Sequence, residues 1–373
     1  MSNLDLNELT NLKLLLSVDQ LGPNRIKNLL TKFYNSENIL SSNFHQLIST
    51  GGISDNLASR IQKANNRRKE VEEFLSKELD KLVKIGGEII TILDEGYPYL
   101  LKKIYDPPII LYKLGKIKKE DDNSIAVVGT RRPSDYGKKQ TEKFCKDLVE
   151  KNITIVSGMA RGIDSISHRS ALTNDGRTIA VLGSGLDVIY PPENKKLFSE
   201  IKNNGVILSE YPFGTKPDAM NFPKRNRIIS GLCYGTVIIE TGLTGGALQT
   251  AEFALDQNRE VFALPGNINA KTSDGTNRLI QKGEAKLITN VDDILSELNL
   301  KIASSTKNKK QKIHINLNIF EAKIINVLVD EPTQIDKIAE LTKLSTSDCL
   351  VHLLSLEFRG LVRQLPGKTF STV

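Results

Sequence analysis

Residues 125–137 read IAVVGTRRPSDYG. Four apolar residues lead into a glycine that permits a sharp exit, then two arginines, then a serine–aspartate pair at which a helix begins. An apolar run that is continuous rather than alternating belongs to a strand buried on both faces. The same kind of run recurs outward from this point: ITIV (153–156), TIAVL (178–182), VILS (206–209), TVIIE (236–240), EVFAL (260–264) and AKLIT (285–289), separated by amphipathic helical stretches. Strands alternating with helices predict an α/β domain, a doubly wound parallel sheet covered on both faces. EIITIL (88–93) and PIILY (108–112) add an edge or an approach segment.

On the N-terminal side the pattern changes. Leu12, Leu15 and Leu16, then Ile26, Leu29 and Leu30, then Leu57 and Ile61 fall at helical spacing. The turn Leu21-Gly22-Pro23-Asn24 joins the first two helices. Two helices joined in this way either present backbone amides to a phosphate or simply pack as a small bundle. On the C-terminal side, KIASSTKNKKQK (301–312) holds five lysines and no acid and reads as a solvated tether. Three helices follow, Ile319 to Val329, Ile335 to Leu341 and Ser347 to Glu357, and then a two-stranded wing, LVRQL (361–365) and TFSTV (369–373). The third of these helices carries Asp348 and Glu357 with only Arg359 near its end, which suits protein docking better than a phosphate backbone.

Composition bounds what such a chain does. With 373 residues at about 150 per domain, two or three domains are expected. Charged residues make up 25% and hydrophobic ones 39%, which excludes global disorder. No apolar run approaches the ~20 residues of a membrane span, and Asp5 and Glu8 sit where a signal peptide requires basic residues. Cys145, Cys233 and Cys349 are too scattered for a zinc site or a disulfide framework, so a cytoplasmic setting and no metal are expected. A net charge of +7 favours polyanionic partners.

In open α/β sheets ligands lie at the carboxyl ends of the strands, and here those ends are rich. Gly129-Thr130-Arg131-Arg132 pairs forked guanidinium donors with the helix start at Asp135, the ingredients of an oxyanion receptor. Ser157-Gly158-Met159-Ala160-Arg161-Gly162 repeats the theme, and Gly183-Ser184-Gly185 is a third tight turn. Asn221-Phe222-Pro223-Lys224-Arg225-Asn226-Arg227 packs three cations and an aromatic into seven residues, with Tyr211 and Phe213 upstream. Cations that track phosphates, interleaved with aromatics that stack bases, are what a single strand of nucleic acid requires. Phe222 serves equally as a core anchor at a helix start. Glu240-Thr241-Gly242-Leu243-Thr244-Gly245-Gly246-Ala247 opens onto a further helix whose small residues let a ligand approach the backbone. His168, four residues after Asp164, can meet it on one helical face, and a dyad with Ser157 or Ser165 is open to it; the alternative is a packed, capping histidine. No complete reaction centre is present in the sequence.

Together these segments resemble the DprA (Smf) family of bacterial DNA-processing proteins. The resemblance rests on VVGTRRPSDYG (127–137), SGMARGIDSISHRSAL (157–172), TIAVLGSGLDVIYPPEN (178–194), SEYP (209–212), FPKRNRIISGL (222–232), ALPG (263–266) and GTNRLIQKG (275–283), in the family's order. It implies a small helical domain of the SAM or helix-hairpin-helix kind (1–80), an extended Rossmann-like domain (81–300), the lysine-rich linker (301–312) and a winged-helix-like domain (313–373). The implied activity is binding and protection of single-stranded DNA and loading of the RecA recombinase onto it in natural transformation, with single-strand binding protein as a further partner. A homodimer is implied, and neither turnover nor a cofactor. The candidate DNA-binding residues are Arg131, Arg132, Ser157, Gly158, Gly183, Phe222, Lys224, Arg225, Asn226 and Arg227. Helix 246–257, with Leu248, Phe253 and Leu255, and the element 275–297, with Leu279, Ile280, Leu287 and Ile288, are the candidates for self-association. The alternative is a nucleotide-processing enzyme of the lysine-decarboxylase-like (LOG) class, echoed by Gly245-Gly246 and a catalytic role for Glu252.

Overall fold

A computed structural model describes residues 6–298, 318–328, 333–358, 361–365 and 368–372. The chain divides into two compact units, 1–305 and 306–373. The first is built on a nine-stranded sheet: β1 (Gly87–Thr91), β2 (Ile110–Gly115), β3 (Ser124–Val128), β4 (Thr154–Ser157), β5 (Thr178–Leu182), β6 (Val206–Ser209), β7 (Gly235–Ile238), β8 (Glu260–Ala263) and β9 (Lys286–Leu287). Their order across the sheet is β1-β2-β6-β5-β4-β3-β7-β8-β9. From β6 to β9 every pair is parallel, and β3 through β6 are wholly buried, as their unbroken apolar runs require.

The sheet is not parallel throughout. β1 pairs antiparallel with β2, Gly87 opposite Leu114, and β2 pairs antiparallel with β6, Tyr112 opposite Ser209. The physical reason is the connection. A parallel crossover needs a packed helix, and between Thr91 and Ile110 the only helix is the single turn Tyr99–Lys102.

The helical region is not a separate body. Its six helices, Leu6–Leu16, Pro23–Phe33, Ser36–Ser41, Phe44–Ile48, Asp55–Lys63 and Arg68–Lys84, share one apolar core with the sheet, Leu12, Leu29 and Leu75 joining Leu111 and Val181. The domain break expected at residue 80 falls inside the helix Arg68–Lys84. A buried carboxylate fixes the junction. Glu78 accepts from Lys13 Nζ (2.8 Å), from Tyr112 Oη (2.7 Å) and from the backbone N–H of Phe213 (3.1 Å). Burial and the adjacent Glu78 charge hold the Tyr112 hydroxyl far above its ordinary range, so it stays a donor.

The linker 301–312 lies outside the described residues. The second unit has the helices Ile319–Leu328, Ile335–Thr342 and Thr346–Phe358, with strands β10 (Thr333–Gln334), β11 (Val362–Leu365) and β12 (Thr369–Thr372) in the order β10-β12-β11. Ile324, Ile338, Leu353 and Phe370 form its core. The two wing strands pair as their sequence predicts, and β10 adds a third strand. The helix Thr346–Phe358 exposes Leu350, Val351 and Leu354 and has no lysine or arginine; Arg359 lies outside the described residues. Among the described residues no helix is long and apolar enough to cross a membrane.

Candidate nucleic-acid interface

The chain runs outward from β3 to β6 in one direction and from β7 to β9 in the other, so the strand order reverses between β3 and β7. Where loops diverge from such a reversal, a crevice opens at the carboxyl ends of the strands. Here a cleft of about 710 Å³ lies between Gly129-Thr130-Arg131, which follows β3, and Thr241-Gly242-Gly245-Gly246, which follows β7. The helix Asn221–Gly231 supplies Phe222, Arg225 and Asn226, and the loop after β5 supplies Tyr190.

The structure gathers the sequence candidates unevenly. Arg131 is exposed at the cleft, its guanidinium carbon 5.7 Å from the centre of the Phe222 ring. Phe222 is half-buried, packed on one side against Tyr190, with ring centres 5.5 Å apart. Gly183 lies directly behind it: a Cβ there would fall 2.9 Å from Phe222 Cδ1, so only glycine lets the ring settle. Arg132 and Lys224 are exposed and follow the lining residues Arg131 and Pro223 in the chain, and Asn226 reaches the opposite loop, its Nδ2 donating to Gly246 O at 3.4 Å.

Four other candidates face inward. Arg225 is 3% exposed and donates to the carbonyls of Gly158 (2.6 Å) and Val181. Desolvation lowers its pKa to about 10 against the opposing pull of Asp164, which leaves it charged at neutral pH. A Cβ on Gly158 would lie 2.7 Å from both Arg225 Nη2 and Asp164 Oδ2, so this glycine makes room for the buried charges rather than for a ligand. Ser157 donates to Val127 O at 2.7 Å within the core. Arg227 is buried beneath the helix and pairs with Glu210 (2.5 Å) and Asp106 (3.1 Å). Of these four only Arg225 lines the cleft, as part of its floor; Arg131 is the exposed cation of the lining, and its neighbour Arg132 and the helix residue Lys224 are exposed next to lining residues in the chain.

The expected oxyanion receptor at the start of helix Asp135–Glu150 is filled from within. Glu240, 2% exposed, accepts from the backbone N–H of Ser134 (2.9 Å) and from its hydroxyl (2.5 Å), occupying the place an external anion would take. The helix Gly246–Asp256 remains open, since Gly245 provides no side-chain cap. Tyr190 is the functional candidate that the sequence argument missed. Its signal was an aromatic in the loop that follows Gly-x-Gly, recognisable only once that loop folds back over Phe222.

His168 is fully buried. The Thr178 hydroxyl donates to Ile155 O, so Nδ1–H must donate to Thr178 Oγ1 (2.6 Å), while Nε2 accepts from the Met159 N–H (3.3 Å). Both nitrogens are spent, and burial pushes the imidazole pKa down to about 3. The dyad with Ser157 or Ser165 therefore does not form: those hydroxyls donate to Val127 O and Ala160 O, and Asp164 accepts from the N–H groups of Gly158 (3.1 Å) and Ala160 (3.4 Å). A measurable consequence follows. The unfolded chain takes up this proton near its ordinary pKa of about 6.5 and the folded one does not, so stability contributed above that pH is lost as pH falls toward the folded value. Between pH 6.5 and 5 the loss is about 2 kcal/mol. Denaturant unfolding of the wild type and of His168→Asn across this range should show the wild type falling more steeply by that amount; parallel profiles would show that the imidazole titrates in the folded state.

Glu252, the carboxylate the enzyme alternative requires, lines a separate cavity with Leu243, Leu248, Leu255 and Arg278, away from the switch-point cleft. Among the described residues that line the cleft, the only carboxylate is Asp164.

The family model of DNA recombination-mediator protein A matches residues 88–299, and that of the DprA winged helix domain matches residues 317–368. Protein Smf of Synechocystis is 35% identical over 95% of this chain and 96% of its own length. The crystal structure of DNA processing protein A from Streptococcus pneumoniae superposes with a TM-score of 0.65 at 38% identity, over 78% of this chain and 97% of that one. DNA processing protein A from Helicobacter pylori, whose structure is described as giving insight into a single-stranded DNA binding mode, superposes at 0.52 with 35% identity, over 57% and 95%.

Proposed function

Since this chain belongs to the DNA recombination-mediator protein A family, that of the DprA and Smf proteins, we propose that it binds single-stranded DNA in the switch-point cleft, without chemical turnover. It protects the incoming strand in natural transformation, hands it to a RecA-type recombinase, displaces single-strand binding protein in doing so, and works as a homodimer. The observation that carries the reading is the juxtaposition in one cleft of a half-buried aromatic pair, Phe222 and Tyr190, with the exposed Arg131, to which the chain neighbours Arg132 and Lys224 add exposed charge. Bases stack on the rings while phosphates meet the cations. The Helicobacter pylori relative's single-stranded DNA binding mode supports the same assignment.

The homodimer reading draws on a different surface. Of the residues the sequence offers for self-association, Leu255 and Leu287 are exposed, as is Leu243 just before the helix Gly246–Asp256, whereas Leu279 and Ile288 are buried in the core. A two-fold contact through this patch gives two clefts per assembly and raises avidity for one long strand.

Binding of an oligonucleotide of about six bases, enough to fill one cleft, should weaken with salt at a log–log slope near −2, about 0.7 for each of three phosphates neutralised. Duplex of the same length should bind much less well. Light scattering during titration with an oligomer of ~30 bases reads mass and stoichiometry together. A flat salt dependence, or equal affinity for duplex, overturns the cleft reading; a chain that stays monomeric at tens of micromolar with DNA bound overturns the homodimer.

A further inference from the structure

A second basic surface lies on two helices that start next to the cleft. The helices Asp135–Glu150 and Ile163–Thr173 both start at the carboxyl edge of the sheet, immediately after the cleft residues Arg131 and Ala160, and they pack side by side. Between them runs a groove of about 510 Å³. Lys139, Lys143 and Lys146 recur at helical spacing along one wall, Arg169 stands on the other, and Glu142 is the only carboxylate in the lining. Lys138 is paired with Asp135 and Lys146 lies 3.9 Å from Glu150, but among the described residues Lys139 and Lys143 have no carboxylate within 4.0 Å. Both are exposed.

We propose that this groove carries the sugar-phosphate backbone of the DNA strand after it leaves the cleft. The inference rests on the cleft reading above. From Lys139 to Lys146 the groove extends about 10 Å at 1.5 Å per residue, so it adds a track of several cations to those at and next to the cleft. Its lining has no aromatic side chain; apart from Ile166 it is polar or charged, with Ser170, Thr173 and Asn174 beside the cations, so it holds phosphates and leaves bases free. Bases left free on a bound strand remain open to pairing. A flexible single strand follows a turn from cleft to groove, whereas a stiff duplex does not.

The double variant Lys139→Gln/Lys143→Gln tests this, because glutamine keeps the helix and removes only charge. Its affinity for an oligomer of about six bases should stay within about twofold of wild type, while that for one of ~25 bases should drop about tenfold. The salt slope with the longer oligomer should become shallower by about 1.4, two phosphates at ~0.7 each. The charge-matched pair Lys77→Gln/Lys81→Gln, exposed on the helix Arg68–Lys84, should change neither. Unchanged long-oligomer binding in the groove variant, or an equal loss with both lengths, overturns the groove track alone. Failure of the unaltered chain to bind either oligomer overturns the cleft reading, and the track with it.

Discussion

Replacing Arg225 by methionine should remove about 3–5 kcal/mol of folding stability, a large share of what a domain of this kind possesses. The guanidinium is buried and holds the carbonyls of Gly158 and Val181, and its charge offsets that of buried Asp164. Removing it leaves a buried carboxylate without its compensating charge and two carbonyls without a donor, and a methionine that matches the stem restores neither. Arg131→Gln, four bonds of exposed side chain at the cleft mouth, should leave the melting temperature unchanged and lower affinity for single-stranded DNA. Thermal unfolding and oligonucleotide titration of both variants separate the roles. If Arg225→Met melts like wild type and loses only DNA affinity, the guanidinium is a ligand group and not part of the floor.

Phe222→Ala should cost about 1–3 kcal/mol of binding, roughly 5- to 150-fold in Kd, if the ring stacks a base. Because the ring also rests on Gly183 and Tyr190, the alanine variant loses some stability too. Phe222→Leu resolves the two effects. Leucine fills much of the space in front of Gly183 but offers no aromatic face, so melting should be nearly that of wild type while affinity still falls. Equal affinity for the leucine variant and the wild type would mean that the ring is only packing.

Some of this was legible in the chain. The segments TIAVL and VILS became β5 and β6 with the expected bounds, and IAVV became β3 with one residue added at its start. Buried parallel strands must be continuously apolar, and few other elements are, so the pattern is close to sufficient. AKLIT shrank to Lys286–Leu287 because β9 is an edge strand with one partner, and β1 and β2 turned antiparallel because nothing between them was long enough to cross over. The helical start was read correctly as helices and incorrectly as a separate domain: hydrophobic spacing tells which face is buried, not against what.

The site divides along the same line. Composition and spacing determined that cations, glycines and an aromatic converge at the strand ends, since chain order and handedness fix where each loop emerges. Which cations face solvent was decided only by the fold. Arg225 and Arg227 sit two residues apart on the helix Asn221–Gly231, and both end up buried, one against carbonyls, the other against Glu210 and Asp106 from distant segments. Likewise the helix start at Asp135 looks open to an anion until Glu240, over a hundred residues later, fills it. A local sequence window holds the groups that can bind a phosphate; burial and internal counter-charges, which arrive from elsewhere in the chain, determine which of those groups are left to do so.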